Sequence, residues 1–173
     1  MAIFFYKYAD GNFILDNNGN KIPKPGQTTN QQFMGNIFSA TITLGIDYHS
    51  NTSKENLTAS MIHEIVHAYL GYTSNNFLKT ETDHNVISTK YITPMALYLK
   101  QYLSLDLKDA YALAWSGVPD SKVFQDADDQ FEFTMSDGNK ITKAETRNLS
   151  GPYKLPTNLQ ENVGFTKGTK ICD

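Results

Sequence analysis

One cysteine, one arginine and one tryptophan are all that this 173-residue chain holds of those three residue types. The single cysteine, Cys172, excludes a disulfide framework and a Cys-x-x-Cys zinc ribbon. Arg147 is the only arginine among 15 basic residues, and the net charge is −3. A duplex reader needs a basic face with several arginines, so this balance argues against nucleic-acid binding. No apolar run approaches the roughly 20 residues that a membrane helix requires. The first ten residues have no basic segment followed by a long apolar stretch, so no signal peptide is expected. Internal repeats are absent, and the length corresponds to about one domain. A 40% hydrophobic and 12% aromatic composition suits a globular core and excludes disorder throughout.

Phe4–Tyr8 and Asn12–Leu15 flank Asp10-Gly11, which reads as a hairpin because Asp-Gly suits a type I′ turn. Asn18-Gly19 marks a second turn. Residues 23–35, with Pro23, Pro25, Gly26, Asn30 and Gly35, read as a loop. Over 37–48, Phe38, Ala40, Ile42, Leu44, Ile46 and Tyr48 alternate with Ser39, Thr41, Thr43 and Asp47. Period two over that length predicts a half-buried antiparallel or edge strand.

Thr52 and Glu55 have capping-box spacing for a helix that runs to Leu70 and ends at Gly71. A second helical stretch covers 81–104, where Ile87, Tyr91, Met95 and Tyr98 share a face and Ile92, Leu99 and Tyr102 extend it. Pro94 either kinks this stretch or starts a new helix. A short helix is expected at 106–115, another at 121–130, and a hairpin about Asp137-Gly138. The Asp-Gly segments lack the spacing and terminal Glu of an EF-hand.

Chemistry concentrates in the first of these helices. His63, Glu64 and His67 spell H-E-x-x-H, a pattern with a chance expectation of about 0.3% in this composition. Spacing i, i+4 stacks both imidazoles on one helix face, where they can reach one Zn²⁺. Glu64 points beside that face and can take a proton from water at the metal. A catalytic zinc needs a third protein ligand. His84, at the start of the second stretch and in phase with Ile87 and Tyr91, is the candidate. Asp83 or Glu81 could replace it, and Asp83 could instead support a ligand. Tyr91 is the candidate to steady an oxyanion, with core packing as the alternative. His49 reads as a loop histidine, Trp115 as a packing residue, and terminal Cys172 as incidental to the metal.

The order strand, H-E-x-x-H helix, loop, helix opening with His, together with His63-Glu-Ile-Val-His67-Ala-Tyr-Leu and a histidine 17 positions after His67, resembles the SprT/Spartan-like minimal zincin metallopeptidases over residues 37–103. The resemblance implies an α+β fold with an antiparallel or mixed sheet, an active-site helix and a second helix carrying the third ligand. It implies one catalytic domain over 1–173, with 119–173 as an accessory region. Similar domains stand at the ends of large bacterial multidomain proteins, which implies a place in a longer chain, cytoplasmic or exported. The expected function is zinc-dependent hydrolysis of a protein or peptide substrate lying against strand 37–48. A zinc hydrolase acting on a non-protein amide or cell-wall peptide, or a zinc-stabilised binding module, are the alternatives.

Overall fold

A computed structural model describes residues 2–6, 13–15, 21–23, 26–49, 52–74, 80–154 and 165–171. In chain order it has strands β1 (Ala2–Tyr6), β2 (Phe13–Leu15), β3 (Lys21–Pro23), β4 (Gly26–Met34) and β5 (Ile37–Gly45), then helices α1 (Ile46–His49), α2 (Lys54–Ser74), α3 (Thr80–Lys90), α4 (Ile92–Leu103), α5 (Leu107–Trp115) and α6 (Lys122–Asp126). Strands β6 (Glu132–Thr134) and β7 (Lys140–Thr142), helix α7 (Lys143–Ser150) and a 3-10 turn at Gly151–Tyr153 complete it. The architecture is α+β.

The main sheet has the order β1-β5-β4, with β5 parallel to β1 and antiparallel to β4. The alternation over β5 is real: Ala40, Ile42 and Leu44 are buried. The strand is nevertheless central rather than an edge, and it stops at Gly45, where Ile46–His49 turn helical. Two further expectations fail. Residues 26–34, read as loop, form β4. It follows Pro25, and a bulge between Thr29 and Gln32 places Asn30 at φ 51°. Its Thr and Gln side chains give no hydrophobic period, and only its pairing with β5 makes it a strand. The hairpin expected between 4–8 and 12–15 is also absent: β1 pairs with β5, and β2 pairs with β3. Asp10-Gly11, Asn18-Gly19 and Cys172 lie outside the described residues.

Helix α2 starts one residue later than its capping-box pattern predicts. Ser53 is the cap, accepting the Asn56 N–H at 3.1 Å. Thr52 instead donates to the Tyr153 carbonyl at 2.8 Å, and Glu55 accepts both the N–H and the hydroxyl of Thr169 at 2.8 Å. The segment 165–171 thus straps the first turn of α2, and the Lys54 N–H adds a bond to the Thr169 carbonyl. The helix passes through Gly71 and ends at Ser74.

The 81–104 stretch breaks at Tyr91 into α3 and α4. Pro94 sits in the first turn of α4, where its missing N–H costs nothing. Ile87, Ile92, Met95 and Leu99 are buried as the pattern requires, whereas Tyr98 and Tyr102 reach solvent. Helix α5 matches its expected span, with Asp106 accepting the Lys108 N–H as cap. The 121–130 helix is shorter, and the Asp137-Gly138 hairpin forms as β6–β7, with Gly138 at φ 83°. Helix α7 was not foreseen, although Thr142 and Glu145 form a complete capping box.

The core is one cluster spanning α2 to the 3-10 turn, and Phe124, Phe133, Met135, Ile141 and Tyr153 from beyond residue 119 belong to it. Trp115 packs as expected, stacked on Phe133 at 4.1 Å. His49 is buried against Tyr48. No helix among the described residues is long and apolar enough to cross a membrane. Replacing Ile42, wholly buried on β5, by alanine is expected to cost about 2–5 kcal/mol in urea unfolding. Ile37→Ala, at 67% exposure on the same strand, should cost under about 0.5 kcal/mol. Equal losses would contradict the register of β5.

Candidate metal centre

The i, i+4 spacing on α2 puts the His63 and His67 rings in edge contact, with centroids 4.6 Å apart. Helix α3 packs beside α2 and α6 and brings His84 to both rings. The three Nε2 atoms form a nearly equilateral triangle: 3.0 Å from His67 to His63, 3.1 Å from His84 to His67, and 3.2 Å from His63 to His84. Among the described residues this is the group of side chains whose ligand atoms meet closely enough to hold a metal ion.

Carboxylates stand behind two of the rings. His67 Nδ1 faces the Asp83 carboxylate at 3.3 Å, and His84 Nδ1 faces the Asp120 carboxylate at 2.5 Å. A carboxylate behind Nδ1 favours the tautomer that carries its proton there and turns the Nε2 lone pair toward the other rings. Burial holds the His63 imidazole well below its ordinary pKa, and the neighbouring His67 and His84 add to this. Burial also lowers His67, with a further contribution from His84, against the opposing pull of Asp83. Both are therefore neutral ligand donors at pH 7. Lone pairs this close repel until a cation lies among them. Two nitrogens bound at about 2.0–2.1 Å to one tetrahedral ion sit about 3.3 Å apart, close to the spacing here. The donor set fits Zn²⁺.

Glu64 leaves that face, as the helical step of about 100° requires. It is 7% exposed, and Thr28 on β4 holds it: the hydroxyl lies 2.7 Å from its carboxylate and 2.8 Å from its carbonyl oxygen. A Cβ on Gly26 would come within 2.9 Å of Glu64 Cγ, so only glycine lets the strand approach this close. Burial pushes the Glu64 carboxyl up to about 7, with the Thr28 hydrogen bonds opposing.

The turn after α5 completes the site. A Cβ on Gly117 would lie 2.8 Å from His63 Nδ1, so this glycine makes room for the ring. His63 Nδ1 is buried and finds no acceptor among the described residues. Three residues later Asp120 reaches His84. Asn85, next to His84, accepts the Lys122 N–H at 2.6 Å and ties the turn to α3.

Every expected histidine is therefore in the triangle. Asp83 stands behind His67 and not in the triangle; the Glu81 side chain lies outside the described residues. Tyr91 is not brought to the histidines by any contact among the described residues. It sits half-buried at the α3–α4 break, packed on the core and edge-to-face with Tyr69 at 6.2 Å. Sequence reasoning missed Asp120, Thr28 and Gly117. Compared with models of known protein families, with curated proteins and with solved structures, the chain matches none.

Two outcomes are expected. Zinc should bind at about one equivalent, and Ala at His63, His67 or His84 should abolish tight binding, whereas Asp83→Ala or Glu81→Ala should only weaken it. Elemental analysis after dialysis checks this, and full occupancy in any histidine variant would contradict the site. Asp120→Ala should weaken zinc binding about 10–100-fold in competition with a chromophoric chelator, as loss of a partner to a ligating imidazole does. Unchanged affinity would show that the Asp120 contact does not orient His84.

Proposed function

We propose that the chain is a zinc metallopeptidase of SprT-like, minimal-zincin character, hydrolysing protein or peptide substrates. The observation that carries the reading is the triangle of three Nε2 atoms, with a buried carboxylate held in the next helical position by an adjoining strand. His63, His67 and His84 would hold the ion. When bound, Zn²⁺ supplies Lewis acidity, making a water molecule acidic near neutral pH and polarising a carbonyl oxygen.

Glu64 is the proton carrier. Its carboxylate accepts the proton of the attacking water and passes it to the leaving amine nitrogen as the peptide C–N bond breaks. Thr28 keeps one oxygen and the helix backbone in register, so the other oxygen has a defined aim. A purely structural metal site needs no such carboxylate, which favours a hydrolase over a zinc-stabilised binding module. Tyr91 is assigned no step, because its contacts are with Tyr69 and the core. The substrate path also shifts from the expectation. Strand β5 is paired on both sides, so an extended peptide would add to β4, whose outer edge has no strand partner among the described residues.

Glu64→Gln preserves size and can still accept the Thr28 hydroxyl, but it cannot take a proton from water. The variant should bind zinc and melt like the wild type while kcat on a casein-derived peptide falls about 10²–10⁴-fold. Zinc-loaded Glu64→Gln turning over at the wild-type rate would overturn the mechanism.

A further inference from the structure

From Gly26 to Gly45 the chain has no charged residue. Edge strands are ordinarily guarded by lysines or other charges against pairing with another chain. Among the described residues strand β4 carries a bulge and no such charge. At its far end Phe33 pairs with Phe38 of β5, their rings 5.4 Å apart. Tyr72 of α2 completes a triangle of rings, 5.8 Å from Phe33 and 5.5 Å from Phe38. Phe33 is 40% exposed, Tyr72 53%, and the adjoining Met34 and Ile37 57% and 67%. Clustered apolar exposure of this kind marks an interaction surface.

Its position says what the surface meets. Strand β4 and helix α2 run side by side in register. Thr28 contacts Glu64, the Gln31 side chain fills the space beside Gly71, and Phe33 meets Tyr72. The uncharged edge therefore leads directly from the catalytic carboxylate to the aromatic cluster. Eight helical steps separate Glu64 from Tyr72, about 12 Å. An extended peptide covers about 3.3 Å per residue, so its fourth or fifth residue from the reacting bond arrives at the rings.

We propose that Phe33, Phe38 and Tyr72 form a remote specificity subsite that seats an aromatic or large aliphatic side chain four to five residues from the scissile bond of an extended peptide on β4. The inference rests on the peptidase reading. It defines the substrate as apolar at a distance rather than at the cleavage point, in keeping with a strand that offers no charge to pair.

The test uses the zinc-loaded chain and synthetic decapeptides of one frame, with Phe, Leu or Asp placed at each position in turn. Mass spectrometry locates the cut. Phe or Leu four to five residues from it, on one side, should raise kcat/KM about tenfold or more over Asp, the range that one apolar pocket supplies. Tyr72→Ser and Phe33→Ser should each erase most of that preference while zinc stays bound and the position of the cut is unchanged. If Phe33→Ser fails to fold, Tyr72→Ser carries the comparison. Cleavage without the positional preference, or a preference that survives in the variants, overturns the subsite while leaving the peptidase reading intact. Cleavage of no peptide by the folded, zinc-loaded chain overturns both. A concentration-dependent dimer that Tyr72→Ser converts to monomer, with the peptide preference unchanged, assigns the patch to a second copy of the chain and also overturns the subsite.

Discussion

Three imidazole nitrogens lie 3.0–3.2 Å from one another, and two of the rings have a carboxylate against Nδ1 on the far side. Nitrogen lone pairs brought to that distance repel one another, which favours a cation between them. A divalent ion held there would couple helix α3 to helix α2. An ion bound to the folded chain alone would stabilise it by mass action. Among the described residues α3 is held besides by Asp83 on His67, by Asp120 on His84, by the Lys122 N–H on Asn85 and by the buried Ile87.

Around this centre the protein provides support from three directions. Strand β4 holds Glu64 through Thr28 and comes close only because residue 26 has no side chain. The turn between α5 and α6 gives space to His63 at Gly117 and a partner to His84 at Asp120. That turn is rigid, because Val118 and Ser121 are wholly buried and the Val118 N–H bonds to the Trp115 carbonyl. The strap at 165–171 fixes the first turn of α2 through Glu55. The strand acts on Glu64, the turn on His63 and His84, and the strap on the helix that carries His63, Glu64 and His67, so the geometry does not rest on a metal alone.

Local pattern made the helices and the central strand legible. His63, Glu64 and His67 follow the period of one helix, and the alternation Ala40, Ile42, Leu44 follows the period of one strand. The phase of Ile87 also put His84 on the side where it meets His63 and His67. What escaped sequence reading depends on partners distant in the chain. Strand β4 is built from Thr, Gln and Asn, and its propensity is weak without β5 beside it. Ser53 displaced Thr52 as the helix cap because Tyr153 and Thr169, about a hundred residues later, take the groups that a local capping box would have used. Asp120 lies 36 residues from His84 and meets it only through the turn after α5. Tyr91 had the right helical phase, but the break between α3 and α4 falls at that residue, and its ring went to Tyr69.

The claim on which the account stands is that one ion is held by three imidazoles and nothing else from the chain. X-ray absorption at the zinc edge of the loaded protein measures this directly. The account predicts three imidazole nitrogens at about 2.0–2.1 Å with one further light-atom ligand. A sulfur at about 2.3 Å, which would come from Cys172, or a shell of oxygens alone would contradict it.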